Sequence, residues 1–365
     1  MWEAAESFSV AAEASMFNRL DITVEYFDKQ TKDLLFDVNL PLSAGATSTS
    51  SASATITKNI GSVSNRGFEF DINYQILKSR DWKWRVGINA TILKNKILKL
   101  PEENREHGII SGTKKYMEGH GMYDYWLHQF VGINRKFPIY IPNLDDYFIG
   151  ELGDGVDELD GKDRIPDEYV VKIGDEYYTR NTSFSKRDWS GSAIPDLYGA
   201  FSTGLDWKNL RFSALVTYAI GGKTLDSSYR NLMSMSGTPY ALHKDILKSW
   251  DGVSDGMTEN SPNRIDPNGV PVIDPTRSTL NNASSNRFLT DASYLVIKNI
   301  SLSYALPKPI AQKIDFERIY ITSSVENLAA FTKRRGMNPQ QSFSGVSDNM
   351  MVTPRIFTVG VNIQF

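Results

Sequence analysis

The chain has 365 residues, with 40 Lys+Arg against 43 Asp+Glu and therefore a formal net charge of −3. That balance lacks the basic excess of a nucleic-acid binder and gives no support for a polybasic membrane-surface protein. The absence of cysteine removes disulfides, thiolate metal sites, iron–sulfur clusters and cysteine nucleophiles together.

No run of 18 apolar residues occurs, so no transmembrane helix is expected. The opening Met1-Trp2-Glu3-Ala4-Ala5-Glu6-Ser7-Phe8 has neither the basic nor the apolar region of a signal peptide. Taken literally, these features describe a soluble, unexported chain. The patterning along the chain argues against that reading.

The dominant signal has period two, the spacing at which a strand returns its side chains to one face. Phe8, Val10, Ala12, Ala14 and Met16 lead through a tight Asn18-Arg19 turn to Ile22, Val24 and Tyr26. Ser43 to Thr57 is almost wholly Ser, Ala, Thr and Gly and reads as a flexible loop. Phe68, Phe70, Ile72, Tyr74 and Ile76 alternate with Glu69, Asp71, Asn73 and Gln75. After the turn Lys78–Asp81, Trp82, Trp84, Val86, Ile88, Ala90 and Ile92 alternate with Lys83, Arg85, Gly87, Asn89 and Thr91, completing a hairpin. Phe212, Ala214, Val216, Tyr218 and Ile220 form another apolar face, and Phe357, Val359, Val361, Ile363 and Phe365 the last. Residues 238–250 read as a short loop helix, with Leu242, Ile246, Leu247 and Trp250 on one side.

About eleven strands are predicted, near 5–17, 20–38, 60–78, 82–99, 112–120, 122–134, 197–208, 209–221, 292–305, 315–330 and 354–365. Many have the 9–11 residues that a tilted strand needs to cross a bilayer. Short connections alternate with long ones, at about 39–59, 134–196, 221–291 and 330–353. Short turns at one end and long loops at the other characterise outer-membrane barrels. The competing reading is a soluble β-sandwich or propeller, whose strands also alternate but run shorter between more even loops. In the barrel reading Phe68, Phe70, Trp82, Trp84, Phe212, Phe357 and Phe365 meet lipid. Glu69, Asp71, Lys83, Arg85 and Asn89 then face the lumen. A soluble fold inverts these roles.

Chemistry-bearing patterns are sparse. The loop 151–168 is acidic and glycine-rich, and Asp154, Asp157, Asp160 and Asp163 could wrap a structural Ca²⁺, although the spacing does not fit an EF-hand. A solvated acidic loop is the simpler reading. His107, His120, His128 and His243 show no helical metal-site spacing. Ser183-Phe184-Ser185-Lys186 and Ser347-Asp348-Asn349 match hydrolase motifs by chance, with no partner Lys-Thr-Gly. No enzyme activity and no cofactor are therefore expected. Tyr177, Tyr178, Trp189, Tyr229 and Trp250 in the long loops could stack on sugar rings or peptide side chains, and Arg334, Arg335 and Asn338 could bind their polar groups. Loop packing would use the same residues.

Several segments resemble the C-terminal part of the SusC/RagA family of TonB-dependent outer-membrane transporters. The longest runs from Ser285-Asn286-Arg287-Phe288-Leu289-Thr290-Asp291 through Ala292-Ser293-Tyr294-Leu295-Val296-Ile297-Lys298-Asn299-Ile300 to Tyr304. Asn59-Ile60-Gly61-Ser62-Val63-Ser64-Asn65-Arg66-Gly67-Phe68-Glu69, Asp245–Trp250, Val325-Glu326-Asn327-Leu328 and Met337–Phe343 are similar to further family segments, in the family's order. Thr358, Gly360, Ile363 and Phe365 resemble the terminal signal by which barrel proteins reach their assembly machinery. The resemblance spans residues 1–365 and implies an all-β transmembrane antiparallel barrel, here the C-terminal half of a 22-stranded one. It implies import of an oligosaccharide, or of a peptide, with a SusD-like surface lipoprotein and TonB–ExbB–ExbD as partners in a lipid bilayer. The family's plug, TonB box and N-terminal strands have no counterpart in the sequence. An open half-barrel in lipid would leave unpaired edges, so the chain is expected to be a fragment that does not transport alone. The alternatives are a soluble all-β carbohydrate-binding module and a passive porin or adhesin barrel.

Overall fold

The computed structural model describes residues 2–39, 55–150, 161–234, 241–249, 264–333, 337–338, 340, 345–347 and 353–365. Nine long strands form one sheet: β1 (Ala4–Met16), β2 (Leu20–Asn39), β3 (Thr55–Lys78), β4 (Trp82–Lys99), β5 (Leu197–Trp207), β6 (Leu210–Ile220), β7 (Tyr294–Ala305), β8 (Arg318–Thr332) and β9 (Ile356–Gln364). Each pairs antiparallel with its sequence neighbours, an unbroken meander from β1 to β9.

Register turns the local alternation into a surface. Val24 lies opposite Phe70, Phe70 opposite Ala90, Ile88 opposite Phe201, and Phe201 opposite Val216. Phe212 then meets Leu302, and Ile321 meets Val361. One apolar face therefore runs across the wall, and among the described residues no second layer covers it: Phe68 is 45% exposed, Trp82 41% and Val359 77%. A sandwich would have buried this face. At the short-turn end Trp82 stacks on Trp207 with centroids 5.3 Å apart, and Phe316 packs edge-on against Phe365, the placement of an aromatic girdle. The opposite face carries Asp71, Lys83, Arg85, Asp206 and Arg211, and Asp206 accepts from Arg211 at 2.6 Å.

Close approach explains one motif glycine. A Cβ on Gly67 would lie 1.9 Å from the Ile92 carbonyl oxygen and 3.0 Å from the Phe27 ring, which covers the bare backbone. The motif residue Asn327 adopts φ 51° where the β7–β8 register shifts, and its amide donates to the Pro354 carbonyl at 3.1 Å. The β1–β2 turn centres on Phe17 and Asn18, both at positive φ, with Arg19 N–H donating to the Met16 carbonyl. The loop between the paired residues Met16 and Leu20 is thus Phe17–Arg19, which contains the expected Asn18-Arg19 and begins one residue earlier.

The all-β expectation holds, with a correction to the count. The strands expected at 112–120 and 122–134 are not wall strands. They are short pieces, Lys114–Tyr116, Asp124–His128 and Phe130–Asn134, in small sheets of the β4–β5 connection. Asp124–His128 alternates only because Tyr125 and Leu127 point into a core of their own. Of the helix expected at 238–250, the described residues 241–249 form only a 3-10 turn, Lys244–Lys248, with Ile246 buried and Leu247 exposed; 238–240 lie outside the described residues. The tighter turn separates residues that an α-helix would align. Trp250 lies outside the described residues.

The buried apolar clusters lie largely in the long connections rather than in the wall. Tyr125, Leu127, Leu225 and Phe288 form one, with Tyr229 and Val346 packed on it. Met233, Ile246 and Val270 form another. A third, Val63, Ile97 and Leu100, joins the connections to the upper ends of β3 and β4.

Candidate functional site

Connections β4–β5 and β6–β7 interlock above the wall. The motif Asn286-Arg287-Phe288 is one stitch between them, beside the backbone pair Ile133–Asp266. Asn286 Oδ1 accepts from Phe130 N–H at 2.9 Å, and its Nδ2 donates to Gln129 Oε1 at 3.0 Å. Arg287 packs its guanidinium over Phe130 and donates to the Asn281 carbonyl at 3.2 Å. Burial holds its pKa below the ordinary arginine value. Phe288 is 1% exposed.

A cavity of about 380 Å³ opens where these connections meet. Trp126, His128, Thr182 and Arg187 come from one connection, and Arg230, Asn231 and Ser278 from the other. Arg187 Nε donates to His128 Nε2 at 3.1 Å, which places the imidazole proton on Nδ1, 2.7 Å from Ser185 Oγ. Ser185 Oγ in turn donates to the Thr182 carbonyl. Burial first, and the Arg187 charge second, hold the His128 pKa down at about 4. The Ser–His pair is not a nucleophile and its base: the serine proton is committed elsewhere, and a cation rather than a carboxylate backs the imidazole.

Lys114 sits over the Tyr125 ring and donates to the Tyr123 carbonyl at 2.8 Å. Burial lowers its pKa to about 7, against a small upward pull from Asp124. Burial raises Tyr125 well above the ordinary phenol value, and its hydroxyl donates to the Gly345 carbonyl.

The aromatic residues singled out in the sequence do not converge. Tyr177 and Tyr178 lie on the hairpin Val170–Ile173/Glu176–Thr179, Tyr177 at 41% exposure with Lys172 beside its ring. Trp189 stacks face to face on His120, centroids 3.7 Å apart, and meets Trp126 edge-on. It borders a separate open cleft of about 730 Å³. Tyr229 packs on Phe288 and His243, its hydroxyl 3.2 Å from Asp245. Asn338 donates to Thr353 and accepts from Gln340. Trp250, Arg334 and Arg335 lie outside the described residues. So do Asp154, Asp157 and Asp160. Asp163 falls in the two-residue strand Asp163–Arg164, and among the described residues no three His, Asp or Glu side chains group as metal ligands. Thr358 and Gly360 stand opposite Ser324 and Thr322 on the polar face, and Ile363 opposite Ile319 on the apolar one. Sequence reading missed Arg187 and Arg230, because nothing in the sequence brings residues on different loops together.

Comparison with known proteins places this geometry. The sequence matches the family described as TonB dependent receptor-like, beta-barrel, over residues 2–328. It is 23% identical over 383 residues to TonB-dependent receptor P3 of Formosa agariphila, covering all of this chain and 34% of that protein. To TonB-dependent receptor SusC of Bacteroides thetaiotaomicron it is 23% identical over 380 residues, covering 32% of that protein. The RagAB peptide transporter superposes with a TM-score of 0.71 at 21% identity, covering all of this chain and 36% of that one. The chain thus spans about a third of the relatives it matches. A nine-stranded meander with a lipid-type face, a family match over most of its length and similarity to part of SusC along the whole of this chain together make this chain a member of the TonB-dependent receptor β-barrel family, corresponding to the C-terminal part of its SusC/RagA relatives.

Proposed function

We propose that the chain forms wall and extracellular loops of a SusC-type importer in the bacterial outer membrane. Its cargo is an oligosaccharide or a peptide, delivered under a SusD-like lipoprotein lid. TonB–ExbB–ExbD would drive release through a plug and TonB box contributed by other parts of the receptor. The observation that carries this reading is the wall: one apolar face across nine strands, with every long connection at one end. A soluble carbohydrate-binding module has no use for an uncovered face of that extent.

In this reading the chain works by binding and conformational change, without covalent steps. A passive porin needs neither a lid nor TonB. The test is fractionation of native cells, followed by uptake of labelled oligosaccharides and peptides with TonB present and deleted. Outer-membrane localisation, a co-purifying lipoprotein and TonB-dependent uptake support the proposal. Uptake unaffected by TonB deletion selects the porin, and a cytosolic chain overturns the reading. Calcium in loop 151–168 is a separate proposal: a chelator should lower the melting temperature of the loops, and an unchanged temperature removes it.

A further inference from the structure

The cavity between the two interlocked connections is cationic, although the chain as a whole is weakly acidic. Two guanidinium groups, Arg187 and Arg230, line it, and among the described residues no aspartate or glutamate does. Among the described residues the one side-chain partner of Arg187 is His128, which is neutral, because both of its ring nitrogens are committed to Arg187 and Ser185. Among the described residues the Arg187 charge is therefore hydrogen-bonded but has no carboxylate partner. Arg230 projects from the short helix Ser227–Leu232 and forms no ion pair with any described residue. Surrounding amide and hydroxyl groups on Asn231, Thr279 and Asn282 offer further donors. Like charges in one recess repel each other, and a shared anion relieves that repulsion. Guanidinium forks fit two-oxygen anions in particular. The volume of about 380 Å³ accommodates more than a bare ion and lies within the usual range of small-ligand sites.

We propose that this cavity binds an oxyanion group, a carboxylate or a sulfate, carried by the imported ligand, with Arg230 and Arg187 as its counter-charges. This names a substrate class for the importer and rests on that reading. The site is separate from the cleft that Trp189 borders, and it joins loops that the sequence separates widely.

The test uses the full receptor, purified in detergent with its partners. Inorganic sulfate and acetate are titrated at constant ionic strength against chloride, with binding followed by calorimetry and by the fluorescence of the nearby Trp126. Saturable binding is expected, and Arg230→Gln should weaken it at least about tenfold, the loss of one charge-assisted pair. Arg230→Lys should fall between the two, since it keeps the charge without the fork. Heat-modifiable electrophoretic mobility verifies that each variant is folded, and Arg230→Gln should pass because the side chain holds no described partner. Competition with a uronate-bearing oligosaccharide, a sulfated one and an acidic peptide then identifies the source of the group. Absence of saturable binding, or equal affinity in wild type and Arg230→Gln, overturns the proposal. If such a receptor still sits in the outer membrane and imports through TonB, only this inference falls. If it does not, the importer reading fails as well.

Discussion

Gly67→Ala tests how the wall is packed. The new Cβ would lie 1.9 Å from the Ile92 carbonyl oxygen, where ordinary contact begins at 3.4 Å. The obstacle is backbone, so no rotamer change relieves it; β3 and β4 must separate locally by about 1.5 Å. Overpacking of this kind costs about 1–3 kcal/mol. The ladder hydrogen bonds stretched beside it add about 0.5–1.5 kcal/mol each. The expected loss is about 2–4 kcal/mol, read as a lower urea midpoint of heat-modifiable mobility for the full receptor in detergent. Gly204→Ala is the control, because nothing lies within 4 Å of a Cβ there. Its midpoint should move by no more than about 0.5 kcal/mol equivalent. Shortening Phe27 to Leu in the Gly67→Ala background should recover little, since the ring is not the main clash. Equal midpoints for Gly67→Ala and Gly204→Ala would refute the close-approach argument.

Phe288→Ala should cost the loop core about 3–5 kcal/mol and speed proteolysis of the connections, while the wall keeps its heat-modifiable mobility. His128 has a folded pKa of about 4 against an ordinary 6.5, so the unfolded loops bind the extra proton. Its contribution is complete above pH 6.5 and is lost as pH falls toward 4; hydrogen exchange of Asp124–His128 should quicken over that window and less so in His128→Gln. Lys114 behaves in the same sense at higher pH: with a folded pKa of about 7 against 10.5, its burial cost is present below pH 7 and is relieved as pH rises toward 10.5. Lys114→Met should flatten loop melting temperature across that range. Truncating Phe365 should lower the amount of assembled receptor in the outer membrane without affecting its synthesis, as expected if Thr358, Gly360, Ile363 and Phe365 form an assembly signal.

The wall was legible because its information is local. Phe68 to Ile76 and Trp82 to Ile92 each repeat one face, and antiparallel pairing of such strands leaves little choice of register. The same rule misassigned Asp124–His128, since Tyr125 and Leu127 alternate for a small core just as Phe68 and Phe70 alternate for lipid. Strand length and continuity separate the two cases, and in 112–134 short strands are broken by turns. Asn286-Arg287-Phe288 was recognisable as a motif, but its work, joining Phe130 and Gln129 to a distant loop, is tertiary. Arg187 and Arg230 carried no signal at all: each is an ordinary loop arginine until the fold sets both in one recess.

The direction of the two outer strands has a consequence for how the sheet can close. With nine members alternating in direction, β1 and β9 both run toward the short-turn end. Joined directly, they would meet parallel, against the pairing used everywhere else in the wall. All-antiparallel closure therefore requires an odd number of additional strands between them, whichever chain or segment supplies them. That parity rule excludes an all-antiparallel ring made from this meander alone, and two copies inserted in the same orientation would meet at two parallel seams.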